Sequence, residues 1–210
     1  HLGYQNHNTV DSNLYDKIIE DNFIEEYHKS NSFHIIWYYQ PDGNIETTQK
    51  CVDYIKEKCE RNIEKDVETI IQTALDEKNI DVENVSISIS AVDVDTIHRI
   101  NKEYRNVDRP TDVLSFPIFE REEINAMADM DNSKKVKEME LGDIIICIDV
   151  LQEHAVEYQT GILREMLYMI THGVCHLLGY DHEIEEEKRN MRTLEEKILN
   201  KIGVGEVNGK

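Results

Sequence analysis

The sequence predicts an α/β fold, α+β in its mixed order, in which a small mixed β-sheet packs with helices and the chemistry sits on a late helix and the turn after it. Three observations carry that expectation. Runs of strand character at 33–39, 85–92, 113–117 and 141–150 are separated by stretches of helical period. Alternation of this kind builds a sheet layered with helices rather than a bundle or a sandwich. The densest group of histidines, within 171–182, falls in the second-to-last helical stretch.

The elements follow in chain order. Residues 1–31 are polar and acidic and form an N-terminal arm, with one short helical stretch at 14–27. Residues 33–39, FHIIWYY, are β-branched and aromatic and read as a strand closed by the turn signal Pro41-Asp42-Gly43. From Thr47 to Leu75, Val52, Ile55, Cys59, Ile63, Val67, Ile70, Ile71 and Ala74 recur at steps of three and four, with Asn62 as a point of interruption. VSISISAV at 85–92 alternates apolar residues with serine, as a strand with one buried face does. Asp93 and Asp95 can cap a helix carrying Ile97, Ile100 and Tyr104 on one side. After the loop NVDRPTD comes the short strand VLSFP at 113–117. Residues 118–140 are charged, rich in methionine and without period, and are read as an expanded loop. LGDIIICIDV at 141–150 is a continuous apolar run, expected as a central strand buried on both faces. Helices are expected at 151–158, 161–178 and 183–202. The predicted organisation is thus an arm at 1–31, a single domain at 32–205 and a tail at 206–210.

Composition narrows the function. The chain carries 43 acidic and 23 basic residues, a formal net charge of −20, so any nucleic-acid site must be a local positive patch. Arg99, Lys102 and Arg109 are the candidates for it. Cys51, Cys59, Cys147 and Cys175 form no Cys-x-x-Cys pair, which excludes a zinc ribbon or thioredoxin-type site; a reducing, cytoplasmic setting is expected. No apolar run is long enough to span a bilayer, so no membrane partner is expected. The first residues lack the layout of a signal peptide and an initiator methionine, consistent with a fragment or processed form.

The informative segment is THGVCHLLGYDH, from Thr171 to His182. His172 and His176 are four apart in a helical stretch and so share one face. Gly179 can take the left-handed conformation and stop the helix. The chain then doubles back and His182 can swing toward the first two. Three imidazoles suit zinc and leave a fourth position open, the catalytic rather than the structural pattern; nickel, cobalt and copper also accept imidazole. The spacing H-x-x-x-H-x-x-G-x-x-H is that of the metzincin proteases, whose general base is a glutamate directly after the first histidine. Here that position is Gly173, which cannot accept a proton. The base is then another group, the hydroxide at the metal or the substrate. Asp181 is placed either to orient a ligand histidine, the preferred role, or to act as base. Thr111, Asp112 and Ser115 either line a groove or build the turn around Pro110, and Cys175 is read as core.

The block His172-Gly173-Val174-Cys175-His176-Leu177-Leu178-Gly179-Tyr180-Asp181-His182 resembles the H-G-x-x-H-L-x-G-Y-D-H signature of the YbeY family of bacterial and organellar metallo-endoribonucleases. The block from Asn101-Lys102-Glu103-Tyr104-Arg105 through Asp108 to Pro110-Thr111-Asp112-Val113-Leu114-Ser115-Phe116-Pro117 is similar to that family's N-x-x-Y-R…PTDVLSFP, and Leu141-Gly142-Asp143-Ile144 to its G-D-I strand. The resemblance runs over about 84–202. It implies that His172, His176 and His182 hold one zinc ion and that Arg105 is a substrate or catalytic residue. It further implies a single-strand endoribonuclease that processes the 3′ end of small-subunit rRNA and acts in ribosome quality control. The expected partners are single-stranded RNA and the ribosomal small subunit, not DNA. Arg105 suits the role because a guanidinium can bind phosphate oxygens in pairs. Two other readings stand beside this one: a metal-dependent hydrolase of a different substrate such as a peptide, and a non-catalytic ribosome-assembly factor with a structural metal. The segment 40–60 is longer than the family pattern requires.

Overall fold

A computed structural model describes residues 24–30, 32–39, 61–130 and 136–205. The strands are β1 (Ile24–Lys29), β2 (Phe33–Tyr39), β3 (Val82–Val92), β4 (Val113–Pro117) and β5 (Val136–Cys147). The helices among these residues are α1 (Ile63–Glu77), α2 (Val94–Arg105), α3 (Arg121–Ala128), α4 (Ile148–Glu157), α5 (Ile162–Leu177) and α6 (Glu185–Lys201). The strands form one mixed sheet in the order β1-β2-β3-β5-β4. β2, β3 and β5 run parallel, while β1 and β4 close the two edges as antiparallel strands.

The alternation of side chains along β3 and β5 divides the core. Ile87, Ile89, Ile144 and Ile146 join the larger cluster with α1, α5 and α6. Val92, Ile145 and Cys147 join Leu114, Phe116, Ile97 and Ile100 in the smaller one under α2. Each fully buried isoleucine contributes roughly 1.5–3 kcal/mol over an exposed one, so this two-sided burial makes β5 a main anchor of the fold. Helix α5 packs on β4 and β5 below and on α1, α4 and α6 around it, which makes it the most enclosed helix. Asn62 caps α1, its Oδ1 accepting the Lys65 N–H at 2.8 Å, and Asp93 caps α2 through the Thr96 N–H at 2.8 Å. Cys147 and Cys175 are buried and free; burial pushes the Cys147 thiol up to about 11 and raises that of Cys175.

Three expectations need correction. The end of the arm, Ile24–Lys29, is a strand paired with β2 from Ile24 opposite Tyr39 to Lys29 opposite His34, where a helical stretch was expected. Pairing with a neighbour decides such a segment, and its local sequence does not reveal the neighbour. The rest of the arm, the tail, residues 47–60 of the long helical period, and Cys51 and Cys59 lie outside the described residues. The stretch 118–140 holds α3 and the start of β5 instead of one long loop. Helix α3 has eight residues and buries only Ile124, too little to print a period on the sequence. Its first turn is fixed by the Glu123 carboxylate, which accepts the Glu120 N–H at 2.8 Å. Finally, β5 ends at Cys147 and α4 begins at Ile148, three residues before the expected break. The pairing of β3 with β5 slips between Ser86 and Ser88, beside Gly142 at φ +123°. A Cβ at Gly142 would stand 2.1 Å from the Phe116 carbonyl oxygen of β4, so only glycine lets β5 meet β4 there.

Candidate metal centre

The site begins with how α5 ends. Gly179, at φ +75°, takes the left-handed conformation expected of it. The Tyr180 N–H reaches back to the Cys175 carbonyl at 3.0 Å and the Gly179 N–H to that of His176 at 2.9 Å. This pair of bonds is the Schellman ending, which reverses the chain within two residues. It carries His182 back over the last turn of the helix. The rings of His172, His176 and His182 then lie with centroids 4.6, 5.4 and 5.0 Å apart, and one ring nitrogen from each falls within 4.8 Å of the others. The structure brings together the three residues that the spacing singled out.

Hydrogen bonding fixes what these rings can do. The Nδ1 of His172 lies 2.7 Å from Oε1 of Glu195, a residue of α6 that is 4% exposed. The Nδ1 of His176 lies 3.0 Å from the Tyr180 carbonyl oxygen. A carboxylate and a carbonyl only accept, so each Nδ1 is the N–H donor, which turns each Nε2 toward the space between the rings. These two Nε2 atoms face one another at 3.1 Å. Burial first, and the neighbouring His172 and His182 second, push the His176 pKa down to about 4 from its usual 6.5. It is therefore neutral at pH 7, and its Nε2 lone pair faces the His172 Nε2, where a cation shared by both nitrogens would sit. Two imidazole nitrogens on a tetrahedral zinc, each at 2.0–2.1 Å, stand roughly 3.3 Å apart, which matches the spacing found. The residues present fit a metal ion.

Gly173 is set against the sheet. A Cβ there would meet Cδ1 of Ile144 at 2.7 Å, and the glycine lets α5 rest on β5. Even a methyl group at this position would enter the core, so it offers neither a base nor room for one.

Asp181, expected to orient a ring, turns its Oδ1 to the backbone N–H of His182 at 2.7 Å, so it holds the turn rather than an imidazole. The carboxylate that orients a ring is Glu195. Sequence reasoning misses it because it stands 23 residues from His172. Its one signal is an acidic residue on the buried side of α6, between Leu194 and Ile198. Arg105, at the end of α2, donates from Nη2 to the Ser115 carbonyl at 2.7 Å and lies 5.4 Å over the Phe116 ring. It is thereby fastened to β4, which packs against α5. Asp112 accepts the Val113 N–H at 2.9 Å and the Thr111 hydroxyl at 3.0 Å, the arrangement of a turn. Ser115 is buried. Of the expected basic patch, Lys102 is paired: Asp108 binds it and His98, each at 2.8 Å, and those two partners hold the Asp108 carboxyl below the usual range. Near the turn, Arg121 pairs with Glu187 at 2.6 Å and Lys78 lies 4.3 Å over the Tyr180 ring.

A mixed sheet layered with helices thus gathers three histidines that could hold a metal ion at the reversal of its most enclosed helix. The family model for Endoribonuclease YbeY matches residues 47–203. The protein named Endoribonuclease YbeY in Thermoanaerobacter sp. (strain X514) is 38% identical over 161 residues, 77% of this chain and 97% of that one. Its namesake in Clostridioides difficile (strain 630) is 40% identical over 148 residues, 70% of this chain and 90% of its own. A protein from Thermotoga maritima of known solution structure aligns at 21% identity and a TM-score of 0.43, over 85% of this chain and 99% of its own. The chain belongs to the YbeY endoribonuclease family. No helix among the described residues is long and apolar enough to cross a membrane.

Proposed function

We propose that this chain is a metal-dependent endoribonuclease that cuts single-stranded RNA, with one zinc ion held by His172, His176 and His182. The observation that carries this reading is the pair of Nε2 atoms opposed at 3.1 Å, each fixed by a hydrogen bond on the far side of its ring. When bound, the ion supplies Lewis acidity toward a phosphoryl oxygen. The protein supplies the rest. Glu195 keeps the His172 tautomer and ring angle, and the Tyr180 carbonyl does the same for His176. Asp181 holds the backbone of His182 so that the third ring closes the group. Arg105 spends one donor on Ser115 and retains others of its five for the negative oxygens of a phosphodiester. The resemblance carries the reading further, to the 3′ end of small-subunit rRNA, ribosome quality control and the cytoplasm.

The test is cleavage of a labelled unstructured RNA by the purified chain, before and after chelation and after zinc is restored. Cleavage should stop on chelation and return with zinc. Arg105→Ala should lose about 100-fold in rate or more, as removal of one donor to a developing charge does elsewhere. Undiminished cleavage under chelation, or in Arg105→Ala, would sink the assignment.

A further inference from the structure

The histidine face of α5 continues beyond the metal centre. Arg164, Tyr168, His172 and His176 stand at four-residue steps, so they form one row along the helix, each rung roughly 6 Å from the next. The Arg164 guanidinium carbon lies 5.9 Å from the centroid of the Tyr168 ring, and that ring lies 6.3 Å from the His172 ring at a tilt of 39°. Helix α6 packs beside α5 and sends Glu195 to His172. One turn earlier on α6 stands Arg192, and one turn before that Arg189. With Thr193 and Glu196 they border an open groove of about 450 Å³. The His172–Glu195 contact joins the row to the groove: Tyr168 stands one turn from His172 on α5, and Arg192 one turn from Glu195 on α6.

The charges of this groove differ from those of the molecule. Arg164 is committed to Glu165 at 3.1 Å, and Glu165 also accepts the Thr160 hydroxyl at 2.6 Å. Glu195 is committed to His172. Arg189 and Arg192 are exposed, and among the described residues neither is ion-paired. Two exposed guanidiniums thus face one carboxylate, Glu196, in a protein of net charge −20. An aromatic face beside open guanidiniums is the arrangement that holds a single strand: bases stack on the ring and phosphates meet the cations.

We propose that this groove is a binding site for single-stranded RNA adjoining the metal centre, in which a base stacks on Tyr168 and the neighbouring phosphate is held by Arg192 and Arg189. The proposal rests on the endoribonuclease reading. It gives the strand a course along α5 and α6, on the other side of the sheet from α2.

The experiment is anisotropy titration of a short fluorescein-labelled unstructured RNA with the zinc-loaded full chain, at low temperature and over a range of salt, paired with steady-state cleavage. The double variant R189A/R192A and, separately, Tyr168→Leu should each weaken binding by about tenfold, the lower part of the range for removal of a stacking partner. The arginine variant should lower the slope of log affinity against log salt by about 0.7 for each phosphate that is no longer neutralised. Tyr168→Phe should restore binding, and kcat should stay within about twofold for all of them while KM rises, the pattern of weakened uniform binding. Both arginines are exposed, so that variant carries the test even where Tyr168→Leu fails to fold. Unchanged affinity and salt slope in R189A/R192A, with the parent chain binding and cutting, would overturn the groove and leave the nuclease reading standing. Weakened binding in a chain that cuts no RNA would keep the groove and remove the nuclease reading. A parent chain that neither binds nor cuts would overturn both.

Discussion

Glu195 gives the histidine centre its chemistry without belonging to the motif that reveals the centre. The i, i+4 pair, the stopping glycine and the returning histidine are all local, so a reader of the sequence can assemble them. Glu195 reaches His172 from another helix, and nothing along the 23-residue separation marks the pairing. For the same reason Asp181, adjacent to a ligand in sequence, invites the orienting role that geometry gives to Glu195. Removal of such a partner typically costs 10–100-fold in metal affinity, and Glu195→Ala should lose about that much in competition with a chromophoric chelator, Glu195→Gln less. Equal affinity in all three chains would contradict the role. Asp143 yields a second prediction at this scale. It is 9% exposed, and burial pushes its carboxyl up to about 7 from 3.8. Between about pH 4 and 7 the unfolded chain has released this proton while the folded chain keeps it. Stability therefore falls as pH rises through that window and stays low above it. At about 1.36 kcal/mol per pH unit, a window of that width sets an upper limit of about 4 kcal/mol. Asp143→Asn should stabilise the chain against urea at about pH 8 more than at about pH 4; an equal effect at both would contradict the shift.

Among the elements, legibility followed burial. Strand β3 and helices α1, α2, α5 and α6 carry apolar residues at a period of two or between three and four, while β2 and β5 show as dense apolar runs. Strand β1 and helix α3 do not: one owes its form to pairing with β2, the other anchors a single isoleucine. Gly173 carries a meaning the sequence shows only in part. Its lack of a carboxylate argues against a protease mechanism, while its physical task is to let α5 meet β5 at Ile144. Gly173→Ala gains helix propensity worth about 1 kcal/mol but overpacks a filled core, which costs about 1–3 kcal/mol. It should lower the melting temperature in the parent chain. Ile144→Val removes the Cδ1 atom that a Cβ at 173 would meet at 2.7 Å, so the same change in that background should cost less. Additive effects in the double-mutant cycle would show that the two positions are not coupled.

For the whole molecule, the mixed sheet was foreseeable, but its strand order was not, because order depends on which elements meet across the chain. The net charge of −20 posed the question of where a polyanion could approach. In the cluster near Arg105 in sequence, Lys102 is held by Asp108, whereas Arg189 and Arg192, far along the chain, are exposed and without an ion pair among the described residues. The central claim is that two opposed imidazole nitrogens, joined by His182, make one metal site. Its most direct test is the zinc content of the folded chain, read by native mass spectrometry after dialysis against zinc. The parent chain should hold one ion and His176→Ala none, with the fold of the variant confirmed by circular dichroism. A parent chain that holds no zinc, or a folded His176→Ala variant that keeps one ion with unchanged affinity, would contradict the account.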